Sequence, residues 1–259
     1  MVRAAEEWAW ADASAEALAA RAHWVSGWLY QTGQIREAAE EAEAGALLPQ
    51  MLAGKMRLMV RAMSCLLEVR EIERATRVAG ELREIATARR LPRMEAYAEW
   101  LPRAVANRTR TAGGVDEELV TAVGEIGAPD IASLVWVTEA VIAWWRGEAA
   151  RGAELAGMAD RAFTDAGAVV PAVWARAVRI ACSPNAGEAE ACATAAVATG
   201  RPDVIWEVLG LLRVSAGLSD AWGEAAREAL SRRIVLGYDD WRRGALCPDE
   251  VEQMFPILT

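Results

Sequence analysis

Lysine and histidine are nearly missing from this sequence, and each gap excludes something. Of 28 basic residues only Lys55 is a lysine, the others being arginines, and His23 is the single histidine. A catalytic dyad or triad built on imidazole therefore has only His23 to use. It sits beside Trp24 in a helical stretch and reads as a packed or surface residue. Phe and Tyr number 2 and 3, too few for the aromatic and β-branched faces of a sheet. The four cysteines, Cys65, Cys182, Cys192 and Cys247, form no CxxC pair and lie far apart. That excludes a clustered zinc site and suits small buried thiols in a reducing compartment.

Phosphate chemistry finds little footing either. The net charge is −9, so the chain as a whole repels nucleic acid. There is no GxxxxGK[ST] loop and no GxGxxG following a strand. The longest apolar run, Ile131 to Trp145, is too short to span a bilayer and is interrupted by Glu139. Met1 to Trp10 has two glutamates and no apolar core of a signal peptide. Asp239-Asp240 lacks the third acid and second motif of a magnesium diphosphate site and reads as a solvated turn. The expectation is a soluble cytoplasmic protein with no catalytic set, metal, cofactor, membrane or nucleic-acid partner.

What is abundant is alanine and, less usually, tryptophan. Trp28, Trp100, Trp136, Trp174, Trp206 and Trp241 stand 72, 36, 38, 32 and 35 residues apart. A period near 36 is the length of two short helices with their turns. Along the chain, Leu18, Ala22, Val25 and Leu29 form one helical stripe, and Ala38, Ala39, Ala42 and Ala46 another. Leu52, Met56, Met59, Met63 and Leu66 face one side of a third helix, and Ile72, Ala75, Ala79, Leu82 and Ile85 one side of a fourth. A helix from Arg93 to about Arg110 is interrupted at Pro102, which kinks it or starts a new one. Asp116 caps the next helix, and Gly127 to Asp130 breaks the chain. Helix pairs then turn at Gly147, at Ser183 to Gly187 and at Gly217, with Ser219 as a cap. Residues 237–259 form a closing segment, and residues 1–14 a leading one. With 54% hydrophobic residues over 259 positions, the chain is expected to be all-α, in about twelve to fourteen helices.

Recurrent residues sharpen this into a resemblance. Trp136, Ala140 and Gly147 repeat the spacing of Trp206, Gly210 and Gly217, with Gly152 and Ala159, and Ala226 and Ala229, following. Ala22, Ser26, Gly33, Ala38 and Ala42 form a similar set. So do Met59, Met63, Ala75 and Ala79, with Arg70 in place of glycine. Trp174, Val178 and Asn185 form a degenerate set, Asn185 taking the left-handed turn. Trp100 and Ala104 match, but their loop is longer and holds Gly113 and Gly114. The pattern resembles the tetratricopeptide repeat over roughly residues 15 to 235, in the long divergent form of large bacterial signal-responsive regulators. The resemblance implies a right-handed α-solenoid of about six antiparallel helix pairs, one repeat domain over 1–259, with repeats in 15–236. It also implies a concave surface that binds a protein or peptide.

The phase of the repeat then selects candidate partner-binding residues. With Trp136, Trp174 and Trp206 as core wedges, Trp144 and Trp145 turn towards the concave side, and two adjacent tryptophans cannot both enter one helix interface. The same phase places His23, Tyr30, Arg57, Ser64, Arg179 and Glu207 on that side. Arg57 and Arg179 would clamp a carboxylate. The leading expectation is a non-catalytic interaction module or assembly subunit. The alternatives are a sensor region of a signalling or transcription regulator that binds a small ligand and, last, a helical enzyme using Asp239 and Asp240.

Overall fold

The computed structural model describes residues 14–32, 34–69 and 71–235. Every element among them is helical, and no strand is present. Twelve α-helices follow in order: α1 Ala15–Gln31, α2 Ile35–Leu47, α3 Leu52–Glu68, α4 Ile72–Arg89, α5 Pro92–Arg108 and α6 Glu117–Ile126, then α7 Pro129–Arg146, α8 Ala149–Asp165, α9 Val169–Cys182, α10 Ala186–Ala198, α11 Pro202–Ala216 and α12 Gly223–Val235. A short 3-10 turn, Asp220–Trp222, precedes α12. Gly33, Arg70, the leading segment to Ala13, Asp239, Asp240, Trp241 and the closing segment fall outside the described residues. None of the described helices is long and apolar enough to cross a membrane.

Local chemistry sets the helix ends. Ser14 Oγ accepts from the Ala17 N–H (3.2 Å) and starts α1, and Asp116 Oδ1 accepts from Leu119 N–H (3.0 Å) and starts α6. Pro129 and Pro202 open α7 and α11, where the missing N–H has no intrahelical partner to lose. Gly147 closes α7 at φ 83°, a conformation costly for other residues. Two expectations change here. Asn185 is extended (φ −143°), not left-handed, and caps α10 by accepting from Glu188 N–H. Ser219 precedes the 3-10 turn without a side-chain capping bond. Of the two alternatives at Pro102, a new helix does not start there, since α5 runs through it.

The chain divides into two compact units, Met1–Pro102 and Arg103–Thr259, with the division inside α5. In the first unit, neighbouring helices pack as α1 on α2, α2 on α3 and α3 on α4, and α1 also meets α3. The core is Met56, Leu58, Met59, Met63, Leu66 and Leu82, filled in by Ala22, Ala38, Ala42, Ala75 and Ala79. Small residues permit the close crossing of α1 and α2: a Cβ added at Gly45 would lie 2.4 Å from Ala22 Cβ. Leu18 departs from its expected stripe and is 38% exposed.

In the second unit each helix from α6 to α12 packs on the next in sequence, and α7 and α11 also meet α9. Here Gly152 is the close approach: a Cβ there would sit 2.6 Å from Cys182 Sγ and 3.1 Å from the Ala140 carbonyl oxygen. Trp206 is fully buried, a burial worth about 3 kcal/mol or more by truncation costs. Trp136 and Trp174 are only half-buried. The ladder therefore counts helix pairs without each rung being a core wedge.

Candidate functional site

The first unit carries a polar face built by α1 and α3. On α3 the apolar positions turn inwards, which leaves Arg57, Arg61, Ser64 and Glu68, spaced 4, 3 and 4 residues apart, on the opposite stripe. Facing them from α1 are His23, Gly27 and Tyr30. The Arg61 guanidinium lies across Gly27, where an added Cβ would be 3.3 Å from its Nη1. Tyr30 donates its hydroxyl proton to Glu68 Oε1 at 3.0 Å. Ser64 donates to the Val60 carbonyl of its own helix at 2.9 Å, so its hydroxyl proton is already engaged. Four of the expected residues, His23, Tyr30, Arg57 and Ser64, thus share this face.

His23 meets the edge of Trp24, with ring centroids 5.8 Å apart and an interplanar angle of 73°. Burial, then the charges of Arg61 and Arg57, hold its pKa below the ordinary value. Arg57 is exposed, whereas Arg61 is half-buried with its Nε sealed from solvent and unpartnered. Trp24 and Trp28, one turn apart on α1, are each 46% exposed. The tryptophan period included Trp28 as a rung, yet its ring lies on the surface.

The other expected residues lie in the second unit. Trp144 and Trp145, at the end of α7, are both half-buried. Trp145 Nε1 donates to Asn107 Oδ1 at 3.1 Å, and the Arg110 guanidinium stands 5.7 Å from the centre of its ring. That is a cation–π geometry. Trp145 is thus tethered within its own unit. Arg179 bonds to Glu188 rather than standing free, and its Cδ lies near the backbone at Gly157. Glu207 is half-buried on α11. Arg179 and Arg57 belong to different compact units.

Sequence reasoning missed Arg61, Trp24, Asn107, Arg110 and a buried ion pair. Glu139, at first sight only an interruption in an apolar run, is fully buried and binds Arg103 through two parallel hydrogen bonds. The Asp116 N–H also donates to Glu139 Oε2 (2.9 Å), and Arg103 reaches the Gly114 carbonyl (2.6 Å). These bonds pin the 109–116 connection onto α7. Both oxygens of the carboxylate thus have donors. A signal for Arg61 did exist: it lies four residues from Arg57 on the same stripe.

The described thiols are inert. Burial pushes Cys182 and Cys192 up to about 11, and it raises Cys65 as well. Among the described residues no three His, Cys, Asp or Glu side chains gather as a metal site would require. No protein-family model, curated protein or solved structure matches the chain.

Proposed function

We propose that this chain is a non-catalytic interaction module whose α1–α3 face binds a protein or peptide partner. The observation that carries the reading is the pair Trp24 and Trp28, one helical turn apart and each 46% exposed, on the helix whose Gly27 and Tyr30 meet Arg61 and Glu68 of α3. Exposed paired aromatics rimmed by polar groups are uncommon on a surface without a partner, and tryptophan and arginine dominate binding hot spots. The tetratricopeptide resemblance supports the same reading, with right-handed winding of helix pairs expected within each unit. Buried reduced thiols accord with a cytoplasmic setting.

The test is affinity capture from a lysate of the source organism, comparing wild type with the double variant Trp24→Ala/Trp28→Ala. A partner lost by the double variant but kept by Trp144→Ala supports this face. A partner retained equally by all three sinks it. The exposed positions of Trp24 and Trp28 mean that the double variant keeps its fold, which circular dichroism verifies.

A further inference from the structure

Arg61 is anomalous among the described half-buried arginines. The half-buried Arg21, Arg74, Arg103, Arg151 and Arg176 each bind a carboxylate. Arg61 is half-buried as well, yet among the described residues no carboxylate pairs with it, and its Nε is closed off from solvent without a hydrogen-bond partner. An unmet buried guanidinium N–H is costly, and such an atom in a folded protein calls for an explanation, an absent ion among them. Arg57 stands one turn before it on α3, also without an ion pair. Like charges at this spacing repel by a few tenths of a kcal/mol. Two uncompensated cations thus stand together in a chain of net charge −9.

The surroundings shape a cradle around them. Gly27 on α1 leaves the room in which the Arg61 guanidinium lies. His23, one turn before Gly27, is near enough for both guanidinium charges to act on it. Glu68, on the same stripe of α3, accepts from Tyr30, and Glu41 on α2 is bound by Arg21.

We propose that Arg57, Arg61 and His23 form a binding site for a dianionic phosphoryl group. Two fixed positive charges match a phosphoryl dianion rather than a single carboxylate, and guanidinium forks suit its oxygens. The neutral imidazole adds one N–H donor. The inference stands apart from the partner reading: loss of capture on changing Trp24 and Trp28 leaves it untouched. The same phosphoryl chemistry arises on a small metabolite or on a phosphorylated segment of a protein, and the experiment separates the two.

Because His23 is the only histidine, its imidazole proton signals report on the site without assignment. These signals are titrated with pH in sulfate, a dianion throughout the range, and in chloride of equal ionic strength. Sulfate is expected to raise the His23 pKa by about one unit, a tenfold gain in proton affinity, since a bound dianion offsets the two guanidinium charges. Arg61→Met keeps the aliphatic stem and is expected to abolish the sulfate response. Arg57→Gln, at an exposed position, is expected to reduce it without endangering the fold. Free phosphoserine and a phosphoserine peptide are then added at fixed pH. A response to free phosphoserine identifies a small ligand, and one confined to the peptide identifies a modified protein segment. Identical titration in sulfate and chloride overturns the site. So does a wild-type response that survives in both arginine variants, or a peptide response that does not depend on its phosphate.

Discussion

Arg103 holds Glu139 in a fork: Nε to Oε1 and Nη2 to Oε2, both at 2.6 Å, with the carboxylate wholly buried. The residues lie 36 positions apart, and the pair, with the Arg103 bond to Gly114, fastens the 109–116 connection to the middle of α7 within the second unit.

Removing the carboxylate leaves the half-buried Arg103 guanidinium with only the Gly114 carbonyl, so Glu139→Ala is expected to destabilise by about 3 kcal/mol, the low end for a buried pair. The double change Arg103→Met/Glu139→Leu removes both charges and should cost markedly less. Denaturant unfolding of the two variants decides, and equal costs would show that the pair itself matters little.

Glycine positions give a matched comparison in the first unit. A methyl group at Gly45 would sit 2.4 Å from Ala22 Cβ and 3.1 Å from Leu58 Cδ1, so Gly45→Ala should destabilise by about 1–3 kcal/mol. Gly80 lies inside α4 with open space where its Cβ would be, and Gly80→Ala should stabilise by about 0.5–1 kcal/mol. Thermal melting of both variants tests the opposed signs.

The thiols should be silent until the chain opens. In a Cys247→Ser background, labelling of the remaining thiols by a disulfide reagent near neutral pH is expected only at the rate of unfolding. A fast native-state phase would contradict their burial. Burial raises the folded pKa of Cys182 from 9.0 to about 11, and that of Cys192 likewise. The folded state therefore holds these protons more tightly than the unfolded one. Their contribution is complete below pH 9.0 and is lost as pH rises towards about 11, which unfolding measured across that window will register.

Trp145→Phe removes the indole N–H that binds Asn107 while keeping an aromatic ring under Arg110. The expected loss is about 1 kcal/mol of stability, with partner capture unchanged. If capture falls instead while stability holds, Trp145 belongs to a binding surface and its tether to Asn107 is secondary.

Much of the helical framework is legible in the sequence. Asp116, Pro129, Gly147 and Gly217 mark helix ends because capping, fixed φ and left-handed turns depend on the residue and its immediate neighbours. The stripe of α3 was readable for the same reason, and it located Arg57 and Ser64. At Pro102 the sequence allowed either a kink or a new helix, and the single helix Pro92–Arg108 removes the second. Asn185 misled because an asparagine serves as readily as an N-cap as in a left-handed turn.

The binding face was only partly legible. The phase argument placed His23, Tyr30, Arg57 and Ser64 on one side, and the packing of α1 on α3 brings them together. It could not separate Arg179, already bonded to Glu188, from Arg61, whose buried Nε has no partner among the described residues. Nor could periodicity tell the buried Trp206 from the exposed Trp28, since both keep the same period.

The sequence by itself determined that this chain is helical, where most helices begin and end, and which residues share a helix side. Those are properties of one residue and its neighbours within a turn or two. Tertiary structure alone decided which charges are neutralised, which tryptophans meet water and where the chain divides into compact units. These outcomes depend on what residues tens of positions away bring alongside, as Glu139 does for Arg103 and Gly27 for Arg61.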